Sequence, residues 1–219
     1  VDAFIVQDIG IAAELTRTLP QARLHISTQM NTHSLAGVQA AHSLGAARIT
    51  LARELSLEQI ELLSAEAESL GMETEVFGHG ALCVCYSGQC YMSSMIGGRS
   101  ANRGTCAQAC RLPYELKNKA VRKPLPAPGE HLLSPKDLCS IDLLDQLLDA
   151  QVASLKIEGR MKSPEYVYAV VSVYRAVLDR LLAAREAGQQ DDSWRATEAE
   201  RSVLAEAFSR GFTTAYLTH

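Results

Sequence analysis

Four times before residue 80 the chain repeats one pair of signals, a short apolar run followed by a helix-length segment with apolar positions at helical spacing. The interval, about 20 to 25 residues, suits one strand, one helix and two short connections. The strands fall at Ala3 to Gln7, Arg23 to Ser27, Arg48 to Leu51 and Glu73 to Phe77, and the helices at Ile11 to Leu19, Ser34 to Leu44 and Leu57 to Leu70. Ser56, followed by Glu58 and Gln59, reads as a helix start, and Gly45 and Gly71 read as helix stops. A helix over Leu138 to Ala150 precedes a fifth strand, Ala153 to Ile157. The next helix, Pro164 to Ala187, opens with Ser163 as cap and proline in its first turn. A polar break at Gln189 to Ser193 then leads to a last helix, Arg195 to Phe208.

Serial βα units predict a parallel sheet with right-handed crossovers, either a barrel or a doubly wound sheet. No strand is followed by a glycine-rich phosphate fingerprint, which argues against the dinucleotide-binding version. A closed barrel needs eight strands and about 250 residues. Five strands, with Val1 already at the door of the first, predict an α/β fold built as a partial TIM-type (β/α) barrel with a cysteine-rich insertion loop, part of a longer protein. Residues 1–77 hold the first βα units, 78–132 the cysteine-rich loop and a proline- and lysine-bearing excursion, 133–187 the final barrel unit, and 188–219 a C-terminal helix and the start of an extension. In such a barrel the reactive face lies at the carboxyl ends of the strands. Those ends offer Gln7, Asp8, Gln29, Asn31, Arg53, Glu54, His79, Glu158 and Arg160.

Composition narrows the class without naming a function. A net charge of -4 argues against a uniformly basic surface but leaves room for a local basic path. No apolar run reaches the roughly 18 to 20 residues that span a bilayer, and no basic-then-apolar leader opens the chain, so a cytoplasmic protein without membrane contact is expected. Six cysteines in a chain with this much aliphatic sequence suit metal ligation or redox chemistry better than a disulfide scaffold.

Five of those cysteines, Cys83, Cys85, Cys90, Cys106 and Cys110, are clustered, and Cys139 stands apart at a predicted helix start. Their spacings form no paired CxxC knuckles, which turns the reading from structural zinc toward an iron-sulfur cluster on four thiolates. The bland reading is a group of reduced thiols packed as small hydrophobes.

The run Glu75-Val76-Phe77-Gly78-His79-Gly80-Ala81-Leu82-Cys83 with Ser87-Gly88-Gln89-Cys90-Tyr91-Met92-Ser93 resembles the signature of the collagenase-like peptidases, peptidase family U32. The stretches Gly98 to Arg111, Ser134 to Cys139 and Ser154 to Ser163 resemble that family's later blocks, and Ser27 to Asn31 and Leu51 to Glu54 fit upstream. Ala109 departs from the pattern, where many relatives have proline. The resemblance implies a TIM-type barrel with a small C-terminal extension. It also implies one of two activities: collagen-degrading proteolysis, or oxygen-independent hydroxylation of transfer RNA wobble uridine, a ribosomal RNA cytidine or the ubiquinone ring. The hydroxylating members imply a 4Fe-4S cluster, with prephenate as oxygen source in the RNA branch.

A peptidase needs a nucleophile with a base in reach, or a helical His pair with Glu. The chain has no HExxH and no serine in GxSxG; Cys83 with His79 is the remaining pair and leaves the other cysteines without a role. The expectation is therefore an RNA-hydroxylating enzyme, with a peptidase as alternative and a non-catalytic, metal-stabilised interaction module as a third reading. Cys83 and Cys90, in the signature, with Cys106 and Cys110, in one local turn, are the expected cluster ligands, and Cys139 is the alternate to Cys110. Cys85 reads as a packing cysteine. His79, Glu158 and Arg160 are the candidate catalytic residues; Gln29, Asn31, Arg53, Arg103, Arg111, Lys156 and Lys162 are the candidate substrate-binding residues. The expected partners are RNA and either another protein or the missing front half of the barrel.

Overall fold

The structure, a computed structural model, describes residues 1–189 and 191–218. Gln190, within the expected polar break, and His219, at the end of the C-terminal stretch, lie outside the described residues. The βα rhythm is present. Strand β1 (Phe4–Val6) leads to helix α1 (Ile9–Thr18), β2 (Leu24–Ile26) to α2 (Leu35–Ser43), and β3 (Ala46–Thr50) to α3 (Leu57–Ser69). Then comes β4 (Glu73–Ala81), the longest strand, followed by the short helix α4 (Met92–Gly97), β5 (Asp137–Cys139) and α5 (Leu144–Asp149). The chain closes with β6 (Ser154–Ile157), α6 (Pro164–Glu186), α7 (Glu198–Ala207) and β7 (Phe212–Thr213).

Local chemistry explains the boundaries. Ser56 and Gln59 form a reciprocal capping box at the start of α3, and Ser163 caps α6 ahead of Pro164. Gly45 and Gly71 take positive φ, 80° and 74°, just past α2 and α3, where a side chain would be strained. The excursion forms a hairpin, with Lys117 bridged to Pro124.

The parallel strands lie in the order β1-β2-β3-β4-β6, and the sheet is open. Five parallel strands are too few for the eight that close a barrel. Two short strands were not anticipated. β5 pairs antiparallel with the carboxyl end of β4, His79 against Cys139, and β7 pairs parallel with β5. The segment expected to begin a helix at Leu138 therefore begins as a strand, and Cys139 ends it.

Alternation along the strands divides the sheet into two faces. Leu24, Ile26, Ile49 and Val76 point into a core with Val38, Ile60, Leu63 and Leu147 from the helices. The opposite face is polar: Arg48 binds Glu73 at 2.6 Å, and Glu75 accepts from Thr50 and Ser154 at 2.9 Å each and from Lys156 at 3.2 Å. A second core joins α6 and α7 to α5 through Val170, Val177, Leu181, Trp194 and Leu204. Each such aliphatic side chain contributes about 1.5 to 3 kcal/mol on full burial. Among the described residues, no helix is long and apolar enough to cross a membrane.

Candidate functional site

Beyond β4 the chain folds back across the carboxyl ends of β2 and β3, and one residue pins it there. Ser87 is fully buried. Its backbone N–H and hydroxyl donate to Glu54 Oε1 at 3.0 and 3.2 Å, and its Oγ accepts from the Arg53 backbone N–H and Nε at 3.2 and 3.1 Å. Asn102 Nδ2 donates to the Gly88 carbonyl at 3.0 Å, and Gln7 Nε2 donates to the Asn102 carbonyl at 3.1 Å. Gln7 and Glu54, picked out as strand-end residues, therefore hold the cysteine loop in place.

Gly88 is required for this contact. It sits at φ 72°, and a Cβ there would run into the Gln29 carbonyl. Gly88→Ala is expected to lower stability by about 2 kcal/mol, combining left-handed strain of about 1 kcal/mol with forced repacking of similar size. Urea unfolding measures this directly; an unchanged midpoint would mean that the loop does not dock on Gln29.

The docked loop walls a cavity of about 460 Å³. Five thiols line it: Cys83, Cys85, Cys90, Cys106 and Cys110. Burial pushes the Cys85 thiol up to about 11, reinforced by Cys90, Cys83 and Cys110. Burial also pushes Cys110 up, opposed by the adjacent Arg111 guanidinium. Cys106 Sγ accepts from the Gln108 backbone N–H at 3.3 Å. For Cys85 and Cys110, neighbouring thiols add to the effect of burial in disfavouring the thiolate.

Among the described residues no three His, Cys, Asp or Glu side chains stand close enough to hold a metal ion. A single zinc takes its sulfurs at about 2.3 Å. A polynuclear iron-sulfur centre takes one thiolate on each iron and so needs sulfurs spread around a larger body. The donor set, five thiols lining one cavity, is of the type such a centre takes.

The same cavity carries cations. Arg53, Arg111, Arg160, Lys162 and Arg210 line the cavity, with Glu158 as the carboxylate among them. Arg160 donates its backbone N–H to Glu158 Oε1 at 2.7 Å and reaches across to the Gly104 carbonyl. Lys162 stacks its ammonium over the Tyr166 and Phe208 rings, and burial and Arg210 lower its pKa. Arg111 is tied to Ser134 Oγ at 2.8 Å, to the Pro135 carbonyl at 3.0 Å and to the Leu82 carbonyl, so it clamps the loop as well as facing the cavity.

The structure thus gathers ten of the expected site residues: Gln29, Arg53, Cys83, Cys90, Cys106, Cys110, Arg111, Glu158, Arg160 and Lys162. Five others lie elsewhere. Asn31, at φ 55°, ends the short turn after β2, and Arg103 is exposed outside the cavity wall. Lys156 is paired with Glu75 on the polar sheet face. Cys139, the alternate ligand, packs into the α6–α7 core with its Sγ 3.8 Å from the Tyr174 hydroxyl, and burial pushes it up.

The fifth, His79, is 1% exposed, with its ring against Tyr174 and Phe212 at centroid distances of 5.4 and 5.5 Å. The β4–β6 register shifts between Phe77 and His79, so Phe77 lines the cavity while His79 turns into the second core. The Cys83–His79 nucleophile and base pair is accordingly not assembled. Cys85, Phe208 and Arg210 are cavity residues that the sequence reading missed. Only Cys85 left a signal, its two-residue offset from Cys83, which suits one side of an extended loop.

Comparison with known proteins bears on this site. The chain is 45% identical over 185 residues to a 23S rRNA 5-hydroxycytidine synthase of Escherichia coli strain K12, covering 84% of this chain and 27% of that protein. It is 39% identical to tRNA hydroxylation protein P1 of Bacillus subtilis strain 168, covering 85% of this chain and 44% of the relative. It is also 34% identical to a collagenase of Porphyromonas gingivalis strain W83, covering 99% of this chain and 52% of the relative. The chain therefore spans about a quarter to a half of these relatives. No solved structure matches it. Residues 1–219 match Peptidase family U32 throughout, and the chain belongs to that family.

Proposed function

We propose that this chain forms the cluster-bearing part of an RNA-hydroxylating enzyme, with a 4Fe-4S cluster held by Cys83, Cys90, Cys106 and Cys110. The observation that carries this reading is the meeting of five thiols and five cations on one cavity. The relatives named for rRNA and tRNA hydroxylation support the substrate class. When bound, such a cluster supplies one-electron chemistry.

The chain's own residues supply the rest. Arg160 and Lys162 neutralise an anionic substrate group or a carboxylate cosubstrate, for which prephenate is the proposed compound. Glu158, beside Arg160, is the cavity's carboxylate and can accept a proton. The loop pinned by Ser87 holds the thiols at the cavity. The edge strand β1 is proposed to pair with further strands of a TIM-type barrel or to be covered by a partner, since an unpaired edge otherwise invites association.

The test is iron and acid-labile sulfide analysis after anaerobic isolation. About four irons per chain are expected, lost in Cys83→Ala and Cys106→Ala but kept in Cys139→Ala. Absence of iron and sulfide under strictly anaerobic conditions would sink the cluster, and iron loss in Cys139→Ala alone would move the site away from the cavity.

A further inference from the structure

Two side chains at the cavity are arranged in a way that neither loop docking nor thiol ligation explains. Tyr86 is 67% exposed, yet its neighbour Ser87 is fully buried and fixed by hydrogen bonds to Arg53 and Glu54. The ring is therefore held by an anchored backbone without being packed into a core. Met161 is 83% exposed and sits at φ 60°, a left-handed conformation uncommon for a residue other than glycine. Its neighbours Arg160 and Lys162 both face the cavity. Tyr86 and Met161 line that same cavity from different loops, the one after β4 and the one after β6.

We infer that Tyr86 and Met161 are the two apolar jaws that hold the base of a single unpaired nucleotide, drawn out of an RNA chain into the cavity. The inference rests on the RNA reading and gives it a specific contact surface. A nucleobase presents a flat π-face, which an exposed tyrosine ring stacks on and a polarisable thioether can cover. The cations alongside, Arg53, Arg160 and Lys162, suit the phosphates on either side of the base. A cavity of about 460 Å³ is concave and takes one nucleotide rather than a duplex, so the base must be unpaired or flipped. Charge decides against a neutral peptide strand: with five cations against Glu158, the wall matches a polyanion.

The experiment is fluorescence anisotropy with a labelled single-stranded RNA oligonucleotide and the anaerobically isolated chain, alongside Tyr86→Phe, Tyr86→Ala and Met161→Ala. Tyr86→Ala is expected to weaken binding about tenfold and Met161→Ala about threefold, whereas Tyr86→Phe keeps the ring and stays within about twofold. Because stacking carries no charge, the dependence of affinity on salt is expected to be the same for Tyr86→Ala as for the parent. Both side chains are exposed, and iron content together with the urea midpoint verifies that each variant is folded. Parent-like RNA affinity in Tyr86→Ala and Met161→Ala would overturn the jaws while leaving the RNA reading intact. No binding of RNA by the parent would overturn the RNA reading itself. Binding of an acidic peptide in place of RNA, weakened by Tyr86→Ala, would assign the jaws to a protein partner and overturn the nucleotide.

Discussion

Replacing Arg210 by methionine is expected to destabilise the protein by about 3 kcal/mol, because it strands a buried carboxylate. Asp137 is 1% exposed and receives the Arg210 guanidinium on Oδ1 at 2.5 Å and the Arg210 backbone N–H on Oδ2 at 2.9 Å. Methionine keeps an apolar stem beside Phe208 and removes the charge. Losing one partner of a buried pair costs about 3 to 5 kcal/mol. The lower end applies because the Arg210 side chain is 27% exposed and Asp137 also feels the charges of Arg111 and Lys162.

The pair matters to the site because of where it lies. Asp137 opens β5, Arg210 precedes β7, and the two strands pair side by side, so the bridge fastens the C-terminal segment to the end of β4. The same segment brings Phe208 and Arg210 to the cavity wall. Urea unfolding of Arg210→Met, Asp137→Asn and the double variant separates the pair from its surroundings. The double variant is expected to lose less than the sum of the singles by about 1 to 2 kcal/mol. Strict additivity would mean that the two side chains do not support one another.

The parts of this architecture legible from sequence are those with local signals. The five parallel strands appear as apolar runs, and their helices carry their own punctuation in Ser56, Ser163, Gly45 and Gly71. The strands β5 and β7 carry no such run: Asp137-Leu138-Cys139 opens on a carboxylate and leads straight into helical apolar spacing, and Phe212-Thr213 is only two residues long. The absence of β5 from the sequence reading also misplaced Cys139, which looked like a ligand at a helix start and is instead a core residue at a strand end. Cysteine clustering was legible because the loop that gathers the thiols is itself local. Arg210 was not, because its place at the cavity depends on a pairing 73 residues away in sequence.

His79 shows the limit of parity arguments at a strand end. Counting along β4 puts it on the same face as Phe77 and Glu75, and the rule that strand ends carry catalysis then promotes it. A register shift between Phe77 and His79 reverses the face. What the sequence could give was the address, the carboxyl edge of the sheet beside the cysteine loop. Which side chains turn toward the cavity depended on a single irregularity of backbone pairing.

That burial makes His79 a measurable determinant of acid stability. Burial lowers its pKa from 6.5 to about 4, against a smaller opposing effect of the Asp137 charge. The Tyr174 hydroxyl donates to the Gly78 carbonyl at 2.8 Å, accepts from the Ser140 backbone N–H at 3.1 Å and lies 3.2 Å from His79 Nδ1, an arrangement that suits the tautomer protonated at Nδ1. Nε2 is then a bare acceptor, buried without a partner, and it is the atom that must take up the second proton. In the unfolded chain the histidine titrates near its ordinary value, so between pH 6.5 and 4 the unfolded state binds more protons than the folded one. The stabilisation is complete above about pH 6.5, falls as the pH drops toward 4, and changes no further below that as far as this residue is concerned. The loss amounts to about 3 kcal/mol, at about 1.4 kcal/mol per pH unit over this interval. His79→Leu, close in volume and unable to titrate, is expected to be less stable at pH 7.5 and to lose about 3 kcal/mol less than the parent between pH 7.5 and 4. Carboxylates remote from position 79 are common to both proteins, so the difference in slope reports the histidine and its immediate surroundings. Parallel pH profiles would place a protonated His79 in the folded core and require a partner for Nε2.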